Sequence, residues 1–288
     1  MQKWKRNYIL SVQTGDNTYV DIVPPLTITF QITRNTNASA NTGRITIYNL
    51  SETTRLKIFK DQYDTKLYKG VELRAGYGDD KETLPLIFKG NIRRAYSERS
   101  GVDYHTVIDA YDGGFAFSMG KTDHNFAEGT PDYQILTTLV KDLPGTDLGA
   151  IGGFTGKLSR GNAISGPTVQ QIQSLIDKED SFFIDNEKAY VLKQNECING
   201  NVNVVDSDVG LLGTPLKEGS YLTFKMIFEP RLQIGQRLTL NSSTESLFNG
   251  TYQVIGLTHT GTISDSVGGN CITTVSCFYG TKPLRVIK

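Results

Sequence analysis

The chain has 288 residues, enough for two or three compact units, and its 30 basic and 30 acidic side chains cancel. A whole-molecule attraction to nucleic acid or to an anionic membrane is thereby excluded, so any such affinity has to be local. Plentiful Gly, Thr, Tyr and Phe beside only 3 Met and 1 Trp favour strands and turns over helical bundles.

The longest early apolar run, Tyr8 to Val12, is too short for a signal-peptide core, and no stretch reaches the ~18 apolar residues of a membrane span. A reducing cytoplasm is the expected place of synthesis. From Leu26 to Ile32, and again from Gly43 to Leu50, apolar and polar residues alternate with the period of a half-buried strand, and the polar segment 35–41 makes the pair a hairpin with a long loop. Ser51 as N-cap, Glu52 in the first turn and Leu56, Ile58 and Phe59 predict a short helix ending near Gln62. Strands follow at Val71–Tyr77, Leu86–Ile92 and Tyr104–Ala110, which predicts a β-barrel-like or sandwich domain over residues 1–112.

The middle, residues 113–200, reads as a central α+β domain. Thr130 caps a helix with Pro131 at N1 and an apolar stripe from Tyr133 to Val140, stopped by Leu143-Pro144-Gly145. A second helix starts at Thr168, whose spacing to Gln171 is that of a capping box, and Ser181–Ile184 and Ala189–Leu192 flank Asp185-Asn186 as a hairpin. Between the helices the Gly-rich stretch 145–166 reads as an exposed, mobile loop. Strands return at Leu222–Met226, Arg237–Leu240, Thr251–His259 and Cys271–Phe278, a second β-barrel-like domain over 201–288. The fold class is thus mainly β, two small β-barrel or sandwich domains flanking a central α+β insertion. Net charge is +6 over residues 1–100 (16 basic, 10 acidic), −7 over 101–200 (7 and 14) and +1 over 201–288 (7 and 6).

Chemical motifs are poor. Gly76-Tyr77-Gly78 opens like a dinucleotide turn, but Lys81 stands where the third glycine belongs; Gly152 to Leu158 evokes a phosphate loop with one residue missing and Leu158 in place of the metal-binding hydroxyl. His105, His124 and His259 lack ligand spacing, and Cys197, Cys271 and Cys277 form neither a disulfide framework nor a zinc knuckle. No Gly-x-Ser-x-Gly elbow exists, and Asp177, Glu179 and Asp180 at a helix C-terminus read as a solvated or partner-facing acidic edge. Lys3, Lys5 and Arg6 around Trp4, and Arg93, Arg94 and Arg99 near Tyr96, allow only non-specific contact with DNA. No catalytic, cofactor-binding or metal-binding residue is expected.

Several stretches in order carry a resemblance: Ile28–Ile32, Gly43–Ser51, Val71–Tyr77, Ile87–Ile92, Tyr111–Gly114, Gly210–Pro215, Glu229–Gln236, Asn249–Val254 and Leu257–His259. Together they resemble the baseplate hub proteins of contractile-tailed bacteriophages, over most of the chain and least over Lys121–Ser165. The resemblance implies a virion protein without enzymatic activity or cofactor. In that family a homotrimeric ring joins the sixfold tail tube, or a tube initiator, to the threefold central spike and continues the lumen through which DNA passes. Tape measure protein and baseplate wedge are further implied partners, and the Gly-rich central loop with its acidic flank is a candidate contact for spike or tape measure. The competing readings are a cell-wall glycan or peptide hydrolase of the tail tip, which needs convergent carboxylates or a Ser/His pair, and a carbohydrate-binding module, which needs clustered exposed aromatics.

Overall fold

A computed structural model describes residues 5–64, 69–78, 80–202, 204–265, 269–280 and 283–287. The Tyr8–Val12 run lies in β1 (Arg6–Gly15), which turns through Asn17, a left-handed residue at φ 56°, into β2 (Thr18–Ile22). The two alternating segments become β3 (Ile28–Asn35) and β4 (Asn41–Tyr48), with Ile28, Phe30, Ile32, Ile45 and Ile47 buried. Helix α1 (Glu52–Ile58) is capped by Ser51 Oγ, which accepts the Thr54 N–H. It stops four residues short of Gln62 because Lys60 leaves to bridge Ala95, while Lys69 Nζ donates to the carbonyls of Lys57 and Phe59 and closes the helix end.

β5 (Gly70–Tyr77), β6 (Leu86–Ser100) and β7 (Asp103–Asp112) complete the first half of the sheet. β6 changes partner midway: Leu86–Asn91 pairs with β5 and Asn91–Ser100 with β7. At the crossing a Cβ on Gly90 would run into the Tyr111 carbonyl, so only glycine fits there.

The middle holds α2 (Gly114–Met119), β8 (Lys121–Phe126), α3 (Asp132–Lys141), β9 (Asp147–Ile151), β10 (Asn162–Pro167), α4 (Thr168–Leu175), β11 (Ser181–Asp185) and β12 (Lys188–Leu192). The second of the longer helices starts at Thr168 as expected, but both are capped differently from the sequence expectation. Pro131 and Pro167 are the N-caps; the Thr130 hydroxyl donates to Ala127 O, and Gln171 Nε2 donates to Ser165 O, so there is no capping box. The Gly-rich stretch is not a mobile loop either. It supplies β9, parallel to β12, and β10, antiparallel to β8, and buries Phe154 and Ile164. Glu196 accepts the Gly153 N–H with both carboxylate oxygens and the Lys193 N–H with Oε2, and a Cβ on Gly152 would collide with that carboxylate.

The last third contains β13 (Glu196–Cys197), β14 (Val204–Val205), β15 (Leu211–Glu218), β16 (Tyr221–Ile227), β17 (Arg237–Leu240), β18 (Gly250–Ile263), β19 (Cys271–Phe278) and β20 (Arg285–Val286). Its strands do not form a separate sheet. β18 pairs antiparallel with β3 from Gly256↔Asn35 to Ile263↔Ile28, giving one 13-stranded sheet with main order β15-β16-β19-β18-β3-β4-β7-β6-β5-β1-β2. No path of strands closes on itself among the described residues, so the outer parts are open sheet halves rather than closed barrels.

Three apolar clusters underlie this frame. One lies under the first half of the sheet and also takes Phe228, Ile263 and Cys271; one lies under the second half and takes Phe183 and Leu192; the third is the interior of the middle segment. The β11–β12 hairpin feeds two of them, since Phe183 and Leu192 point to one cluster and Phe182, Ile184, Ala189 and Val191 to the other.

Candidate assembly surfaces

The face of the sheet turned away from these cores is rich in hydroxyls. Strand register aligns them across the seam: Thr33 lies between Thr42 and Thr258, and Thr258 faces Thr274 on its other side; Thr29 lies between Thr46 and Thr262; Gln31 lies between Arg44 and Thr260. Further out Thr223 and Ser276 touch at 3.3 Å. Its charges lie mostly away from the seam, with two cations to a carboxylate: Asp109 receives Arg94 Nε at 2.6 Å and Arg44 Nε at 3.9 Å, and Glu72 lies 3.5 Å from Lys89 Nζ and 3.9 Å from Arg74 Nη2. Across the seam the face therefore offers many weak hydrogen-bonding groups and few charges, a surface that wets well and holds a polyanion poorly.

Among the described residues two strand edges flank it without a partner strand. β15 pairs only with β16 and shows exposed Leu212 and Leu216, and the adjoining β16 shows Tyr221 and Ile227. On the other flank the Arg93–Ser100 half of β6 has β7 on one side and, on the other, among the described residues, only the Lys60↔Ala95 bridge. Unpaired edges bearing apolar side chains are templates for strand addition.

A cleft of about 870 Å³ lies where the turn after α4 overhangs one end of the hydroxyl face; Asp177, Glu179, Asp180, Glu218, Thr223 and Gln253 are among its walls. The three carboxylates singled out in the sequence are thus close in the chain but unequal. The Asp180 side chain is almost wholly buried and accepts from Lys193 Nζ at 3.0 Å and Gln194 N at 3.2 Å; Asp177 shares the same lysine at 3.3 Å; Glu179 is exposed. Two of the three share one ammonium, an arrangement that partly offsets an acidic edge rather than setting up an acid and a base.

The histidines are scattered. His105 meets Tyr48 edge-on at 4.7 Å on the open face, and His124 Nε2 contacts Asp142 Oδ2 at 2.8 Å in the middle segment. His259 is buried on β18, its Nε2 3.0 Å from Arg34 Nη2 and its Nδ1 2.9 Å from Thr273 Oγ1. A guanidinium only donates, so Nε2 must accept and Nδ1 carries the proton, donated to Thr273. Burial, then the Arg34 charge, holds this imidazole well below its usual value, hence neutral.

Arg34 itself, 1 % exposed, pairs through Nη1 with Asp185 at 3.1 Å and donates through Nη2 to Leu232 O at 3.0 Å. Arg34 and the wholly buried Asp112 at the end of β7 went unread in the sequence, although strand alternation places Arg34 on the face of Ile28, Phe30 and Ile32, and Asp112 on that of Ile108 and Ala110.

The remaining motifs dissolve into structure. Gly76-Tyr77-Gly78 ends β5, and Tyr77 OH donates to Phe228 O. Arg93 lies over Tyr111 at 5.8 Å, Arg94 over Tyr96 at 5.0 Å and Arg99 over Tyr104 at 6.0 Å, so these rings are covered by the chain's own cations rather than free to stack on bases. Lys3 and Trp4 lie outside the described residues. The three cysteines are free and buried, and burial raises each thiol. Among the described residues no three His, Cys, Asp or Glu side chains gather as a metal site, and no helix is long and apolar enough to cross a membrane.

Comparison with solved structures finds the same fold in tail proteins and in a type VI secretion component. The 43 kDa tail protein of prophage MuSo2 from Shewanella oneidensis superposes with TM-score 0.59 at 8% identity, over 95% of this chain and 98% of that one. A tail protein from Neisseria meningitidis MC58 gives 0.57 at 11%, over 94% and 96%. The E. coli c3393 protein, a component of the type VI secretion system, gives 0.59 at 9%, over 95% and 79%. No curated protein matches the chain. At the level of sequence, a family model described as baseplate hub gp41 matches residues 9–264, nearly the whole sheet and all of the middle segment, so the chain belongs to that family of phage baseplate hub proteins.

Proposed function

We propose that the protein is the baseplate hub ring of a contractile phage tail: a homotrimer that joins the sixfold tail tube, or its initiator, to the threefold central spike, with the hydroxyl-rich face lining the lumen. The observation that carries this reading is the open face itself. Each chain contributes two four-strand runs to it, β15-β16-β19-β18 and β3-β4-β7-β6, joined at the β18·β3 seam. Three chains then present six runs, which suits a sixfold partner above while the ring keeps threefold symmetry below.

The two outer units, residues 1–112 and 201–288, are the pair this requires, with 113–200 as an outward α+β insertion. Ring closure brings β15 of one protomer against the free half of β6 of the next, a head-to-tail contact that covers Leu212 and Leu216. A wall of Thr and Ser with few charges across the seam lets DNA pass with only non-specific contact. The protein acts in the virion baseplate after synthesis in the host cytoplasm, and its role is structural rather than enzymatic. The cleft beneath the α4 turn is the surface offered to spike, tape measure or wedge.

The test is assembly of the purified protein with and without a candidate spike, read by light scattering and negative-stain imaging. The reading predicts threefold rings with a central hole, lost in Leu212→Lys/Leu216→Lys while the monomer remains folded. Monomers under every condition, or rings indifferent to the two lysines, would count against it.

A further inference from the structure

The tip of the β11–β12 hairpin sits in a polar socket built by the first half of the sheet. Asn186 and Glu187 turn in the left-handed region, at φ 53° and 59°, and their N–H groups donate to Asp112 Oδ2 at 2.6 Å and Oδ1 at 2.9 Å. Asn41 Nδ2 donates to Ile184 O at 2.7 Å, Lys89 Nζ pairs with Glu187 at 2.9 Å, and Arg34 holds Asp185. Four side chains on β3, β4, β6 and the end of β7 thus converge on four consecutive residues. From the same guanidinium the network continues to Leu232 and His259 in the second half of the sheet.

The hairpin is rooted elsewhere by apolar contacts, through Phe183 and Leu192 in the core under β16–β19. It therefore spans the β18·β3 seam like a strut, packed to one half and hydrogen-bonded to the other. Within this socket Asp112 is fully buried. The ionisable groups around it are Asp185 on β11, Glu187 in the turn, Tyr190 on β12, Arg34 on β3 and Lys89 on β6, with His259 on β18 beyond Arg34. One guanidinium, already divided among three acceptors, cannot satisfy two buried carboxylates as well as it satisfies one.

We propose that this joint is a proton-operated brace: with a proton on Asp112 the hairpin tip stays seated and the two halves of the sheet keep a fixed angle, and when the proton leaves, the tip opens locally and the seam loosens. The chemistry supports that direction. Burial, reinforced by the Asp185 charge, pushes the Asp112 carboxyl up to about 8, against the two backbone N–H groups and Arg34, which pull it down. An opened tip exposes the same carboxyl to water, where it releases its proton near pH ~4. Between those values the seated form holds one proton more than the opened form, so opening grows as pH rises and levels off once the seated form is itself ionised. His259 works in the opposite sense only below about pH 6.5, where an opened imidazole takes up a proton that the seated one refuses.

Hydrogen exchange of the full-length protein between pH 6.5 and 9, corrected for the intrinsic rate and under conditions where exchange follows the opening equilibrium, reads this directly. Amides of 181–192 and of the seam at 256–263 are expected to open about tenfold more for the pH unit from 6.5 to 7.5, and to level off above about 8.5. Strands β1 and β5, remote from the joint, serve as the internal reference and stay flat. Asp112→Asn, which offers one acceptor where the carboxylate offers two, is expected to open more than wild type at pH 6.5, to lose the slope, and so to be overtaken by the wild type as pH rises. A flat wild-type profile, a slope shared by the reference strands, or an undiminished slope in Asp112→Asn overturns the proposal. If that variant does not fold, the wild-type contrast between joint and reference decides alone.

Discussion

Replacing Arg34 by methionine probes how the halves of the sheet are held together. The side chain is 1 % exposed, and its loss leaves the Asp185 carboxylate, itself 6 % exposed, without its cation and leaves Leu232 O and His259 Nε2 without a donor. Deleting one member of a buried ion pair costs about 3–5 kcal/mol, and each orphaned acceptor adds ~1 kcal/mol. A loss of about 5 kcal/mol is expected. With an unfolding entropy of about 2.1 cal/mol/K per residue over the whole chain, that corresponds to a fall in Tm of about 8 °C. Urea unfolding followed by tryptophan-independent far-UV signal, with calorimetry for Tm, measures both. The double variant Arg34→Met/Asp185→Leu removes the stranded charge and should recover about half of the loss. A single variant within ~1 kcal/mol of wild type, or a double variant no better than the single, would refute the view that a charge network rather than shape alone pins this joint.

Other substitutions test separate parts of the account. Gly90→Ala drives a Cβ into the Tyr111 backbone and should cost at least ~2 kcal/mol in denaturant unfolding; a neutral result would mean the β6–β7 crossing yields easily. His259 stays neutral when folded and takes a proton when unfolded below about pH 6.5, so its contribution is lost as pH falls, by up to ~1.4 kcal/mol per unit. His259→Gln, which keeps an acceptor for Arg34, should make the pH 6.5-to-5 decline in urea midpoint shallower by about one proton, and an unchanged slope would count against the neutral tautomer. Thr33→Lys/Thr258→Lys adds two cations at the seam of the open face. Rings should assemble normally while DNA release from particles slows, and release at the wild-type rate would argue that this face does not line the DNA path.

Much of the strand layout was legible because burial is one-sided. The alternation that marks residues 28–32 and 43–50 is the alternation of the burial pattern in β3 and β4, and Asp185-Asn186 announced the hairpin whose left-handed residues proved to be Asn186 and Glu187. What local pattern could not reveal was pairing at a distance. The β3·β18 seam joins residues more than 220 positions apart, and nothing in either segment names the other. The Gly-rich stretch misled because its glycines relieve crowding rather than confer mobility: Gly152 gives way to the Glu196 carboxylate and Gly149 to the Tyr190 ring. α1 ended early for a similar reason, since Lys60 found a backbone partner on β6 that helix propensity does not register.

The same limit governs function. The lack of a nucleophile elbow or ligand spacing is legible in the sequence, but the surfaces on which the proposed assembly rests arise only once strands from both ends of the chain share a sheet. The hydroxyls of Thr29, Thr33, Thr46, Thr258 and Thr274 are unremarkable in their own strands and form a surface only through register.

Imaging of the assembled particle by electron cryomicroscopy, with the tail tube attached, tests the central claim most directly. The account predicts three copies around the axis, β15 of each beside the free half of β6 of the next, and the threonine-rich face turned to the channel. A ring of another order, or a channel lined by the middle segment, would contradict it.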